Sequence, residues 1–300
     1  MKNFSEIYEK VKGSERRRVI AVAAAEDEPV LQAVAKAREL GLCDAVLVGD
    51  KEKIELLMGE LSITEGFRII DEKNPAASAR IAASLVREGD CDILMKGLVD
   101  TKSLLRAVLD KEKGLATGNL ISHIAAFEVP GYDRMLFVTD AAMNTYPGLK
   151  EKLGILSNAV GFVRSLGVEM PKVAVICAVE VVNEAMQATI DAAMLSKMND
   201  RGQIKGCIVD GPLALDNALS VEAAEHKGIK SPVAGHADIL LMPNIESGNV
   251  LYKALTYTTE SRSGGVLLGA KAPVVVTSRA DSFESKVNSI AMAVLNAAGI

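Results

Sequence analysis

Near the C-terminus the stretch VVVTSRADSF, residues 274–283, runs an apolar segment straight into hydroxyls, an arginine and an acid. Ser278 and Arg279 lie side by side where an apolar strand should end. A hydroxyl next to a guanidinium suits an anionic ligand, because the planar guanidinium can engage a phosphate with two parallel N–H donors. Asp281 and Glu284 have the spacing of a capping box at a helix start, which accounts for both acids without any chemistry. The cap does not account for Ser278 and Arg279, which precede it.

Four further stretches place polar or glycine residues after apolar runs: MKGLVDT (95–101), TDAAMNTYP (139–147), VDGPLALD (209–216) and MPNIESGN (242–249). Lys96 follows a buried-looking strand, where a lone charge is costly without a partner, and an anion shared with Arg106 would compensate it. Asp100 before Thr101 reads equally well as a helix cap. Asp140 and Asn144 offer a carboxylate and an amide at another strand end. Asp210 and Gly211 could face a ligand or simply make a turn. Gly248 and Asn249 could open a helix whose first N–H groups suit a phosphate, with capping as the simpler reading. His123, His226 and His236 are isolated in sequence and read as surface or internally satisfied histidines; His236, beside a glycine-rich turn, stands slightly above the other two.

These residues need a frame. Apolar runs such as RVIAVAAA, DAVLVGD, FRIID and CDILMKG alternate with amphipathic segments of helical period such as EPVLQAVAKARELG and ASARIAASLVREG. That alternation predicts parallel βαβ units, with helices on the faces of the sheet. The middle differs: HIAAFEV, GYDR and MLFVTD read as run, turn and run, which predicts an antiparallel hairpin. The pattern changes near Gly114–Gly118, and a second crossover is expected near Ser263–Gly265. The fold class is therefore α/β with two α/β domains, residues 1–118 plus 265–300 forming a discontinuous first domain and 119–264 the second. In open α/β sheets ligands bind outside the carboxyl ends of strands, where all the stretches above fall.

Composition excludes several classes. The 300 residues carry a net charge of −5 with no basic stripe, and aromatics make up only 4% with no Trp, so nucleic acid is not expected as a partner. No apolar run approaches the ~20 residues of a membrane helix, and the N-terminus lacks a signal-peptide core. The four cysteines, Cys43, Cys91, Cys177 and Cys207, are far apart, with no CxxC and no histidine at ligand spacing. Buried reduced thiols, no metal and a cytoplasmic location are the expectation. The sequence has no GxGxxG, GxxxxGK[ST], GxSxG or HExxH at a suitable place.

Taken together, DAAMNTYP, CAVEVVNEAMQATIDA (177–192), VDGPLALDNAL, SPVAGHADILLMPNIESGNVLYKAL and GAKAPVVVTSRADS resemble the phosphate acetyl/butyryl transferase family, in family order across about residues 90–290. The run at 177–192 is more similar to the butyryl branch. The resemblance implies a fold like that of isocitrate and isopropylmalate dehydrogenases, with two α/β domains flanking a cleft. It also implies a homodimer or higher homo-oligomer, with the second domain carrying the contact. Coenzyme A and phosphate are implied as substrates, with no permanently bound cofactor, in the reversible reaction acyl-CoA + phosphate = acyl phosphate + CoA.

By the same resemblance, Ser278, Arg279 and Arg106 are the catalytic residues, and Lys96, Asp140, Asn144, Asp210, Gly211, Gly248 and Asn249 line the substrate site. Acetyl-transferring relatives carry an aspartate seven positions after the serine, as the base for the thiol proton. Here that position is Ser285. A dehydrogenase on the same fold, for which no convincing aspartate cluster or nicotinamide loop is present, and a catalytically silent CoA-binding protein are the competing readings.

Overall fold

A computed structural model describes residues 1–64, 66–277 and 281–299. Helix α1 (Phe4–Lys12) opens the chain, burying Phe4, Ile7 and Val11 along one stripe. Then come β1 (Arg18–Ala23), α2 (Glu28–Glu39), β2 (Cys43–Gly49), α3 (Lys51–Glu60), β3 (Arg68–Asp71), α4 (Pro75–Glu88), β4 (Ile93–Lys96) and α5 (Thr101–Leu109). The helix starts obey local chemistry: Asp27, Asp50, Asn74 and Asp100 each cap a helix by accepting an N–H two or three residues inside it. Asp100 is thus the cap that its position before Thr101 allowed.

The middle of the chain holds β5 (Ser122–Glu128), β6 (Leu136–Thr139), α6 (Leu149–Ser165), β7 (Lys172–Ile176), α7 (Gln187–Asp200) and β8 (Ile208–Leu213). After these come α8 (Leu215–Leu219), α9 (Val221–His226), β9 (Ile239–Leu241), α10 (Ile245–Thr258) and β10 (Arg262–Leu268). β5 and β6 form the expected antiparallel hairpin, pairing Ile124 with Thr139 and Phe127 with Leu136. The chain ends with β11 (Val274–Val275) and α11 (Phe283–Ala298).

The contacts divide the chain into two compact units, Phe4–Asn119 with Ser263–Ile300, and Met1–Asn3 with Leu120–Arg262. In the first, the strands lie in the order β3-β2-β1-β4-β11-β10. β1 is parallel to β2 on one side and β4 on the other, β4 is parallel to β11, and only β10 runs against β11. In the second the order is β5-β6-β9-β7-β8, with parallel pairs from β6 onward. The architecture is α/β throughout. The four cysteines are buried and free, and no group of His, Cys, Asp or Glu among the described residues could hold a metal ion. Among the described residues no helix is long and apolar enough to cross a membrane.

Helix α11 is buried on every face over Ser285–Val294, as a helix enclosed by its own unit must be. Its polar residues are tied down inside that unit. Asn288 accepts from the Tyr8 hydroxyl at 2.6 Å and donates to the Ser263 carbonyl at 2.9 Å. Ser289 Oγ donates to the Ser285 carbonyl at 2.7 Å and accepts from the Gly265 N–H.

Two local expectations need correcting. The cap of α11 is Ser282, whose Oγ accepts the Ser285 N–H at 3.1 Å, so the third helical position holds a serine and Asp281–Glu284 do not form the capping box. Helix α10 opens at Ile245 under Asn244, which accepts the Ser247 N–H at 3.0 Å, so Gly248 and Asn249 lie inside the helix rather than at its start. In both cases two acceptable caps lie close together, and the chain uses the one whose side chain reaches the third N–H.

Candidate active site

In the first unit, β1 is followed through α2 by β2 on one side, while β4 joins it on the other. The order of connections therefore reverses between β1 and β4, and the crevice outside such strand ends is where open α/β sheets hold ligands. A cavity of about 350 Å3 opens there, lined by Asp27, Pro29, Val30, Lys96, Gly97, Leu98, Thr277 and Lys286. That volume falls near the low end of the roughly 300–1,000 Å3 typical of small-molecule sites.

Its base is shaped by backbone. Ala24, just past β1, adopts a left-handed conformation with φ of 52°, and its carbonyl accepts the Leu98 N–H at 2.6 Å. Gly97 donates to the Ala23 carbonyl at 2.8 Å, and a Cβ on Gly97 would stand 2.2 Å from the Ala24 oxygen. Only glycine permits that approach. The turn is braced from below by Ser78, whose hydroxyl accepts the Ala24 N–H and donates to the Val48 carbonyl.

Two ammonium groups line this cavity. Lys96, at the end of β4, is half-buried and donates to the Gly97 carbonyl at 3.2 Å. Lys286, one turn into α11, is 3% exposed and donates to the Asp281 carbonyl at 2.7 Å. Burial pushes the Lys286 ammonium below the usual lysine value, with Asp281 and Asp27 pulling it back up. Sequence reasoning missed Lys286, because in SKVNSIAMAV it looks like one polar residue on an ordinary amphipathic helix; the signal available was the near-absence of other charge along 285–299.

Arg106 does not share this cavity. It is exposed on α5 and lines a separate cavity of about 200 Å3 with Ala76, Arg80, Ser103, Ala107 and Asp110. The structure therefore separates the Lys96–Arg106 pair into two cavities and gives Arg106 a second guanidinium, Arg80, as its neighbour. Ser278 and Arg279 lie outside the described residues; the chain enters that segment from Thr277, which lines the Lys96 cavity. Ser285 is buried, with its hydroxyl 3.4 Å from that of Ser263.

In the second unit, four of the expected residues do come together, but around one another. Asp140 is 3% exposed and its carboxylate accepts from the backbone N–H groups of His123, Ala142 and Met143 and from the Asn144 amide at 2.6 Å. The same amide donates to the Ile121 carbonyl at 3.0 Å. Asn249 donates to the Ala141 carbonyl at 3.2 Å, and a Cβ on Gly248 would meet the Asp140 carbonyl at 2.4 Å. Asp140, Asn144, Gly248 and Asn249 thus lock the loop after β6 onto α10.

Asp210 and Gly211 are elsewhere, inside β8 and opposite β7, because that strand continues to Leu213. The Asp210 carboxylate accepts its neighbour's N–H from Gly211 at 2.8 Å, and a Cβ on Gly211 would crowd Val175 at 2.9 Å. His123 is buried in β5 with its ring edge-on to Tyr252, His226 is exposed on α9, and His236 is half-buried.

Residues 3–80 and 72–294 match the family described as Phosphate acetyl/butaryl transferase. The phosphate butyryltransferase of Clostridium acetobutylicum is 58% identical over 296 residues, 98% of each chain. That of Clostridium beijerinckii is 56% identical over 298 residues, 99% of this chain and 98% of the relative. Among solved structures, a branched-chain phosphotransacylase from Enterococcus faecalis V583 superposes with a TM-score of 0.83 at 33% identity, covering 93% of this chain and 99% of that one. The cavity-bearing α/β chain described above belongs to the phosphate acetyl/butyryl transferase family.

Proposed function

We propose that this protein is a phosphate acyltransferase that moves a short acyl group such as butyryl reversibly between the sulfur of coenzyme A and an oxygen of inorganic phosphate. Its near-full-length kinship with phosphate butyryltransferases carries the reading. The cation-lined cavity at the β1–β4 switch point is the geometry that fits it.

In the acyl-phosphate-forming direction, a phosphate oxygen attacks the thioester carbonyl carbon. A C–O bond forms, the C–S bond breaks, and the CoA thiolate leaves with the electron pair and takes up the proton the phosphate gives up. In reverse, the thiolate attacks acyl phosphate and phosphate departs. Both partners are bound together and no acyl-enzyme forms. The family resemblance gives Ser278 and Arg279 the thiol and phosphate region. It puts Arg106 among the catalytic residues, where Arg80 adds positive charge.

The position of the aspartate base of acetyl-transferring relatives is filled here by a buried serine hydroxyl, so thiolate formation rests on the positive field of Arg279 and a helix N-terminus rather than on a carboxylate at 285. The protein acts in this reading as a cytoplasmic homodimer, with the dimer contact on the unit built from Leu120–Arg262. Four buried free thiols accord with a reducing compartment.

The test is release of CoA from butyryl-CoA, followed with a thiol reagent in the presence and absence of phosphate. Phosphate-dependent release across acetyl to branched pentanoyl chains, greatest beyond acetyl, is expected; no phosphate-dependent release with any chain would overturn the assignment. Ser278→Ala and Arg279→Ala are expected to lower the rate at least tenfold, and rates within twofold of the parent would remove those two residues from the site.

A further inference from the structure

Arg80 and Arg106 occupy matching places in the first unit. Helix α4 follows β3 and α5 follows β4, and these strands run parallel through β2 and β1, so both helices start at the same edge of the sheet. Each arginine is the sixth residue of its helix, about 7.5 Å along the axis from the first. The two helices pack against each other, and helical side chains lean back toward the N-terminus. Both arginines line one cavity of about 200 Å3, together with Ala76 and Ser103 from the first turns.

Among the described residues neither guanidinium has a hydrogen-bond or ion-pair partner. The carboxylates at hand are turned to backbone. Asp110, in the same cavity, has Oδ1 accepting the N–H groups of Glu112 and Lys113 at 2.9 and 2.8 Å. Asp100 caps α5 by accepting the Ser103 N–H at 2.9 Å, and Glu72 accepts the Asn74 N–H at 2.9 Å before the start of α4. Two like charges facing one small cavity repel each other, and an anion between them turns that repulsion into attraction.

We propose that Arg80, with Arg106, holds the phosphate monoester on the ribose of coenzyme A, and so sets the enzyme's preference for the fully phosphorylated carrier. The inference rests on the acyltransferase reading, and Arg80 is not among the residues that the family resemblance assigns. A phosphate monoester carries about −1.5 to −2 charges near pH 7, and its oxygens accept parallel N–H donors from a guanidinium, so two arginines match it in charge and in geometry. Each bridging phosphate of the carrier's diphosphate carries a single charge and matches less well. The cavity has room for a phosphate and is smaller than the roughly 300–1,000 Å3 of sites that enclose a whole small molecule. Inorganic phosphate reacts at the thioester carbon, in the region given to Ser278 and Arg279. The ribose phosphate lies at the far end of a long pantetheine arm, and a cavity distinct from the strand-end one suits it.

The experiment compares the parent with Arg80→Gln and Arg80→Lys, using butyryl-CoA and butyryl-dephospho-CoA, which lacks only the ribose phosphate. In Arg80→Gln the Michaelis constant for butyryl-CoA should rise about tenfold, as expected for losing a hydrogen bond to a charged group, and recover in part in Arg80→Lys. The maximal rate and the constant for inorganic phosphate should stay within twofold. Against butyryl-dephospho-CoA the loss should shrink to less than twofold. A constant for butyryl-CoA within twofold of the parent overturns the proposal. So does an equal loss with both acyl carriers, or a rise in the constant for inorganic phosphate instead.

A second measurement needs no turnover. CoA should raise the parent's melting temperature more than dephospho-CoA does, and that difference should be lost in Arg80→Gln. Equal rises in the parent, or a difference kept in the variant, overturn the proposal whatever the activity. A difference lost in the variant of a protein that never releases CoA keeps the phosphate anchor and discards the acyltransferase reading.

Discussion

Lys152 Nζ lies 2.7 Å from Asp191 Oδ2, and both side chains are 4% exposed. The pair joins α6 to α7, and Gln187 completes it by donating to the other Asp191 oxygen at 2.9 Å. Removing one member strands a buried charge, whereas removing both leaves an apolar contact. Lys152→Met alone should therefore cost about 3–5 kcal/mol in urea unfolding, while Lys152→Met with Asp191→Leu should recover most of the loss. A double variant as unstable as the single one would show that the pair contributes net stability of its own.

Gly248 marks where α10 meets the loop after β6, and a Cβ there would meet the Asp140 carbonyl oxygen at 2.4 Å. Backbone has little room to yield, so Gly248→Ala should cost about 1–3 kcal/mol as an overpacking change and lower the rate of CoA release. Gly161, exposed in α6 with open space around its would-be Cβ, is the control. Gly161→Ala should stabilise by roughly 0.5–1 kcal/mol through helix propensity alone. Equal effects at the two positions in thermal unfolding would refute the packing argument.

Asp140 accepts four hydrogen bonds from inside its own unit. Its replacement by alanine orphans those donors, and a loss of about 3 kcal/mol or more is expected from unmade bonds to a buried carboxylate. A variant of unchanged stability but impaired substrate binding would instead identify Asp140 as a ligand-contacting group.

Burial pushes the Cys43 thiol up to about 12, and Cys91, Cys177 and Cys207 up to about 11. The unfolded chain gives up these protons near pH 9, so between pH 9 and about 11–12 the folded state holds more protons than the unfolded one. This contribution to stability is fully present below pH 9 and is lost as the pH rises through that window. Unfolding free energy should fall between pH 9 and 10.5 at a slope of up to about 1.4 kcal/mol per pH unit per cysteine, and Cys43→Ala should flatten the slope. Alkylation of the native protein by iodoacetamide at pH 8 as fast as a free thiol would contradict this account.

The frame of the molecule was legible in the sequence because it rests on periodicity. Apolar runs such as VIAVA and AVLVG are strands because neighbouring parallel strands and covering helices bury both their faces. Helix α1 is written in a short segment whose helical signal is only the spacing of Phe4, Ile7 and Val11 among charged residues. Site residues were harder. Asp140 and Asn144 have the types and location of ligand groups, yet their hydrogen bonds close on nearby backbone and on each other, and no pattern along the chain distinguishes a carboxylate that binds a loop from one that binds a substrate. Lys286 was invisible for the opposite reason: its burial comes from packing of α11 against α1 and α2, distant in sequence.

The left-handed turn at Ala24 and the absent side chain at Gly97 bear on how this enzyme could be diversified. That surface is backbone laid on backbone, so a gene library that randomises Gly97 would return folding failures there rather than altered substrate preference. Pro29, Val30 and Leu98, which line the same cavity with side chains, are the positions where a changed residue can alter its width and leave the turn intact.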